Sequence, residues 1–143
     1  MGVLWTALAN PGDTERRWAT ISASADGQTI IAGVRGGRLY LSTDRWVTRS
    51  EVQPAGAVDL VWRASAMSAD GQTIIVSASS ACYLSTDGGD TWSPVTEPAG
   101  ARSLAMSHDG QVIVSASSYA YRSEDGGSTW SNRECYANTR PSA

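Results

Sequence analysis

The sequence predicts an all-β chain folded as a β-propeller, made of four-stranded antiparallel blades with about three blades in the chain. Three observations predict it. An internal repeat of about forty residues runs through most of the sequence, two turn motifs recur in every copy, and the runs between them are short and apolar on both faces.

The repeat is plainest at its aspartates. Ser24-Ala25-Asp26-Gly27-Gln28-Thr29-Ile30-Ile31 returns as Ser68-Ala69-Asp70-Gly71-Gln72-Thr73-Ile74-Ile75 and, altered, as Ser107-His108-Asp109-Gly110-Gln111-Val112-Ile113-Val114, with the aspartates 44 and then 39 residues apart. A second motif follows each copy: Ser42-Thr43-Asp44, then Ser85-Thr86-Asp87-Gly88-Gly89-Asp90-Thr91-Trp92, then Ser123-Glu124-Asp125-Gly126-Gly127-Ser128-Thr129-Trp130. Between these turns lie runs rich in β-branched and aromatic residues: 29–34, 39–41, 73–77, 82–84, 112–115 and 119–122. Their length and their Asp-Gly and Gly-Gly boundaries predict strands, and the Asp-Gly pairs supply the positive φ of a tight hairpin. Ile30-Ile31-Ala32 and Ile74-Ile75-Val76 are apolar on both faces, which suits sheets sandwiched between neighbouring sheets. The blades are expected over 18–60, 61–101 and 102–137, preceded by a blade-closing strand and connector over 1–17 and followed by a tail over 138–143.

The octapeptide motif resembles the Asp-box (BNR) repeat, S-x-D-x-G-x-T-W, of sialidases, sortilin-type receptor domains and bacterial repeat proteins. The resemblance covers roughly residues 4 to 135 and rests on Ser42, Asp44 and Thr48; on Ser85, Asp87, Gly89, Thr91 and Trp92; and on Ser123, Asp125, Gly127, Thr129 and Trp130. It implies that each box is the turn between the third and fourth strands of a blade, with the Asp accepting turn amides and the Trp packed beneath. The first copy carries Trp46 in place of Gly and Arg49 in place of Trp, so a distorted turn is expected there. One carboxylate per turn falls far short of the roughly six to eight oxygens that calcium takes, so the aspartates are read as turn-formers. Neither a metal nor a cofactor is implied.

Propellers close with roughly four to eight blades, so three leave an open arc with two large apolar faces. A second identical chain would give six blades about a two-fold axis, and a homodimer is the expected assembly. Leu4-Trp5-Thr6-Ala7 parallels Thr91-Trp92-Ser93-Pro94, the last strand of a blade, which makes thirteen strands for twelve places. The N-terminal segment either completes the partner's third blade, displacing residues 130 to 136, or caps an edge; alternatively the chain is a fragment of a longer array.

Composition narrows the partners. A net charge of −3, a pI near 5.0 and the lack of any basic run argue against nucleic acid and against a polybasic membrane contact. The chain is expected to be soluble: it has no apolar run of membrane-spanning length, and Met1 to Asn10 lacks the parts of a signal peptide. Cys82 and Cys135 are read as free thiols. Arg supplies all 11 positive charges, with Lys absent, for which folding physics offers no reason.

Meander geometry places the Asp-Gly turns and the boxes on one rim, and the second turns and inter-blade connectors on the other. The second rim holds the variable segments, and loops on a rigid scaffold are where binding residues concentrate. The candidate ligand-binding residues there are Arg17, Arg35, Arg38, Arg63, Arg102 and Tyr119. Arg63 and Arg102 lead into the innermost strands of their blades at equivalent positions, and their guanidinium forks suit carboxylate or sulfate groups, as on an acidic glycan or a protein ligand. The plainer reading pairs them with Asp59, Glu97 or a carboxylate of the adjacent blade. Trp18 and Trp62, also equivalent, are read as inter-blade packing.

Resemblance to sialidases raises a glycoside hydrolase as the alternative. Tyr40, Tyr83 and Tyr121 repeat at equivalent positions and read as blade architecture, and the sialidase arginine triad and Arg-Ile-Pro element have no match here. No catalytic residue is assigned. A non-enzymatic binding or scaffold propeller is the expectation.

Overall fold

In the computed structural model the described residues are 16–133, and they form twelve strands in three antiparallel meanders. The first blade holds β1 (Trp18–Ala23), β2 (Ile30–Gly37), β3 (Leu39–Ser42) and β4 (Ser50–Val52); the second holds β5 (Leu60–Met67), β6 (Ile74–Ala78), β7 (Cys82–Ser85) and β8 (Ser93–Val95). The third, β9 (Ser103–Met106), β10 (Ile113–Ala116), β11 (Ala120–Ser123) and β12 (Ser131–Arg133), is a separate sheet in the order β12-β11-β10-β9. β2 runs three residues past its expected end because its far end also pairs with β5, Arg35 opposite Val61 and Gly37 opposite Leu60. That short ladder joins the first two blades at the rim of the second turns.

The turns explain why the strands stop where they do. In each Asp-Gly turn the serine hydroxyl donates to the aspartate at 2.6 Å, the carboxylate accepts the amide two residues on, and the serine oxygen accepts the amide five residues on. Side chains thus satisfy the amides that a reversing chain leaves without ladder partners. The turns also bond to one another across blades: Ala25 N–H donates to Ala69 O, and Ala69 N–H to His108 O, both at 2.8 Å. Main-chain bonds therefore set the spacing of the blades on this rim.

The core lies between blades. Ile31, Leu39 and Leu41 of the first blade pack with Trp62, Ile74 and Val76 of the second, while Ile75 and Ala66 of the second pack with Ile113 of the third. Adjacent residues of one strand, Ile74 and Ile75, are both 0 % exposed because each serves a different neighbour. Burial of such a side chain is worth about 1.5–3 kcal/mol, and these blades obtain it only from the next blade. The outer faces of the first and third blades have no such cover among the described residues: Ile21 of β1 is 69 % exposed and Val114 of β10 is 41 % exposed. Strand β12 belongs to the chain's own third blade, pairing with β11. The N-terminal strand, Cys135 and the tail fall outside the described residues. No helix among the described residues is long and apolar enough to cross a membrane.

Candidate functional site

Four of the candidate arginines meet in one place. Arg17 leads into β1, Arg35 lies near the end of β2, Arg63 sits in β5 and Arg102 precedes β9. Backbone pairing holds all four segments: Arg35 N–H donates to Arg17 O at 2.8 Å, Arg35 pairs with Val61 across the β2–β5 ladder, and Arg102 N–H donates to Ala116 O at 2.9 Å. Together with Trp18, Ala19, Val61 and Trp62 they line a concavity of about 620 Å³.

The electrostatics follow from what is missing around the guanidinium groups. Among the described residues no acidic side chain lines the concavity. Among the described residues none of the four arginines forms an ion pair. The plainer expectation for Arg63 and Arg102 does not hold there, because Asp59 is taken by Arg38, Nε to Oδ1 at 2.7 Å. Glu97, the other expected partner, instead faces Tyr121, whose hydroxyl is pushed up by desolvation and by its hydrogen bond to Glu97. Four like charges lining one hollow repel one another, and a bound anion lowers that cost.

Arg38 and Tyr119 are not part of this cluster. Arg38 is held by Asp59 and, at 3.5 Å, by Glu51, while Tyr119 is exposed at the second turn of the third blade. The tryptophans divide. Trp62 is 3 % exposed, donates its indole N–H to Gly37 O at 3.0 Å and packs in the core between the first two blades. Trp18, its equivalent, is 44 % exposed, with Tyr40 and Trp46 edge-on at 5.9 Å, because no described blade covers that side.

The octapeptide turns lie at the opposite ends of the strands. In the second and third copies the Ser85 and Ser123 hydroxyls donate to Asp87 and Asp125 at 2.8 Å and accept Gly89 and Gly127 N–H at 2.8 Å. The carboxylates accept the Thr91 and Thr129 amides and hydroxyls, and Trp92 and Trp130 donate to Gly89 O and Gly127 O at 3.0 Å. Donors crowd these carboxylates, the threonine hydroxyl foremost, and lower Asp87 and Asp125 from the ordinary 3.8 to about 2. The expected distortion of the first copy is corrected: Ser42, Asp44 and Thr48 make the same bonds, with Trp46 N–H to Ser42 Oγ at 2.9 Å and Thr48 N–H to Asp44 Oδ1 at 2.8 Å. Arg45 and Trp46 simply adopt the positive φ, 62° and 70°, that glycines hold elsewhere.

Two further features bear on chemistry. Among the described residues no three His, Cys, Asp or Glu side chains converge as a metal site would require. Cys82 is fully buried, its thiol donates to Pro98 O at 2.7 Å, and burial pushes its pKa up, which leaves it a packed thiol. Sequence reasoning missed a cluster of hydroxyls between the first two blades, where Ser65 Oγ meets Thr20 Oγ1 at 2.7 Å and Ser22 Oγ at 2.6 Å. Only the register of neighbouring blades brings them together, and no motif marks it.

Radial meanders joined in series define the chain as part of a β-propeller. No family model matches the sequence, and no curated protein matches it. Solved structures do match in fold. YCF48 from Cyanidioschyzon merolae superposes with a TM-score of 0.66 at 21 % identity, covering 85 % of this chain and 38 % of that one. YCF48 bound to D1 peptide gives 0.67 at 16 % identity, over 82 % and 40 %. The GH74 xyloglucanase from Xanthomonas campestris gives 0.64 at 21 % identity, over 85 % and 22 %. The chain spans about two fifths of the YCF48 chains and less of the xyloglucanase. Propellers of this fold thus include both a glycoside hydrolase and proteins whose names carry no enzymatic activity.

Proposed function

We propose that this chain is a binding module of the Asp-box repeat type that captures an anionic ligand, an acidic glycan or an acidic stretch of a protein, in the arginine concavity on the rim opposite the octapeptide turns. One observation carries the reading: Arg17, Arg35, Arg63 and Arg102 share a concavity whose lining, among the described residues, holds no acid. Guanidinium forks meet carboxylate and sulfate oxygens in pairs, and gathered in a hollow they favour a ligand bearing several such groups over a single small ion. A peptide has a precedent on this fold, since one solved YCF48 is described as bound to D1 peptide. Family membership is supported by the bonding of the Ser, Asp and Thr of all three octapeptides.

The glycoside hydrolase alternative lacks support at this concavity. Such chemistry needs two carboxylates, or a tyrosine with a carboxylate, converging on one sugar. Tyr40, Tyr83 and Tyr121 instead sit in register in β3, β7 and β11, opposite Ala32, Val76 and Ser115. The test is binding to an array of uronate-bearing and sulfated glycans alongside acidic peptides. Replacing Arg63 and Arg102 together by Ala is expected to abolish binding, and added salt to weaken it in the parent chain. Absence of any such binding, with turnover of a fluorogenic sialoside, would overturn the reading in favour of the hydrolase.

A further inference from the structure

We infer that the two uncovered blade faces are complementary halves of one joint, and that a second copy of this chain occupies them, closing six blades about a two-fold axis. The rule for a joint is written twice inside the chain. At the first-to-second and second-to-third junctions, matching positions of the repeat meet matching positions, so the residues that a third junction would bring together can be read directly.

The backbone shows it first. The inter-turn series that runs Ala25 N–H to Ala69 O and Ala69 N–H to His108 O ends, among the described residues, with an unused donor at His108 N–H and an unused acceptor at Ala25 O. The third blade of one copy thus offers the bond that the first blade of another lacks. Glycine spacing agrees. A Cβ on Gly71 would meet Thr29 at 3.0 Å and one on Gly110 would meet Thr73 at 2.9 Å, whereas Gly27 has nothing within 4 Å. The residue equivalent to Thr29 and Thr73 in the third blade is Val112, of nearly the same shape as threonine, and the joint sets it against Gly27.

Side chains follow the same register. Leu104 of β9 packs in the second junction with Ala66, and its counterpart in β1 is the exposed Ile21. Ile21 requires the counterpart of Ala66, which is Ala105 of the third blade. Ile31 and Ile75 are each sealed by the next blade, and their counterpart Val114 is left open. A concavity of about 600 Å³ lined by Ile21, Ala32 and Trp46 waits on the first blade.

The departure from the repeat at one position identifies the occupant. At the internal junctions the octapeptide glycine approaches a leucine of the preceding blade, a Cβ on Gly89 reaching Leu41 at 2.6 Å and one on Gly127 reaching Leu84 at 2.9 Å. At the open junction both partners differ together: the glycine position holds Trp46 and the leucine position holds Arg122. A guanidinium over an indole is an attractive pair, and an indole against the usual leucine would clash at that separation. Arg122 is half-exposed and ion-paired to the exposed Glu124 at 2.6 Å, and the Trp46 ring already accepts one guanidinium, that of Arg49 at 5.5 Å, as the joint would have it accept another. A large residue on the first described blade and a cation on the third, each departing from the repeat, fit a joint between copies of this chain.

Sedimentation or light scattering on the 143-residue chain tests the proposal. At tens of micromolar the expected mass is twice the single-chain 15.1 kDa. Ile21→Arg, on one face, and Arg122→Glu, on the other, should each weaken association at least about tenfold. Pairing Trp46→Gly with Arg122→Leu recreates the internal glycine–leucine contact and should keep the dimer, while Trp46→Gly alone weakens it. Where a variant fails to fold, a cross-link gives the answer: Ala25→Cys with His108→Cys, in a Cys135→Ser background, should oxidise to a dimer whose disulfides join position 25 of one copy to position 108 of the other. A single-chain mass, a mass other than twofold, a dimer unmoved by Ile21→Arg and Arg122→Glu, or disulfides joining like positions would each overturn it.

Discussion

The first octapeptide turn and the later two reach the same hydrogen-bonded geometry from different residues, and the contrast separates what makes the turn from what fits it between blades. Ser, Asp and Thr recur in all three copies and their bonds recur with them. Gly-Gly recurs in two, and Arg45-Trp46 holds the same positive φ without it. Local carboxylate and hydroxyl bonds are therefore strong enough to impose a backbone conformation that costs a non-glycine residue about 1–3 kcal/mol. Glycine at 89 and 127 answers a second demand, close approach to the leucine of the blade before.

The largest effect that breaks the comparison is expected from Gly89→Ala, where backbone strain combines with a 2.6 Å approach to Leu41. Denaturant unfolding should show a loss of about 2–4 kcal/mol, while Trp46→Ala in the first turn should cost the single chain, kept apart from its copy by Arg122→Glu, no more than about 1 kcal/mol. Removing a serine hydroxyl strikes the shared part instead. Ser42 and Ser85 are both buried and bonded alike, so Ser42→Ala and Ser85→Ala should each cost about 1–3 kcal/mol, and unequal costs would show that the turns are not equivalent. Smaller still is the gain from relieving strain. In an Arg122→Glu background, where copies are held apart, Trp46→Gly should stabilise the chain by about 1 kcal/mol.

A titration sharpens the comparison without changing the fold. Asp87 and Asp125 have pKa values lowered to about 2 from 3.8, so their contribution to stability is fully present above pH 3.8 and is lost as pH falls through about 2. Asp44 is lowered by the same threonine-led cause. Thr91→Val removes the leading donor, and NMR titration should find the Asp87 carboxyl shifted upward with Asp125 unmoved.

Most of the architecture was legible before the structure, because a propeller repeats its punctuation. Asp26, Asp70 and Asp109 marked the first turns and the octapeptides marked the third, so strand order and rim assignment followed from counting. The candidate site was legible in part: Arg17, Arg35, Arg63 and Arg102 converge, but Arg38 does not, since its distance from Asp59 and Glu51 depends on how a connector crosses the rim. The first turn was misjudged for a physical reason. Propensity marks Trp46 as unfit for positive φ, and propensity is a weak prior that the Ser42 and Asp44 bonds override.

The bonds between Asp-Gly turns belong to the main chain and ask nothing of the side chains they join, as the exchange of alanine for histidine at position 108 already illustrates. A rim stitched in this way leaves the far rim freer to vary away from the β2–β5 ladder, because register is kept wherever amide meets carbonyl. Such a molecule is a natural chassis for loop grafting: residues 117–119 suit replacement by foreign recognition sequences while the stitched rim holds the blades in step, whereas residues 79–81 suit it less, since a Cβ on Gly100 would already meet Ser79 O at 2.6 Å.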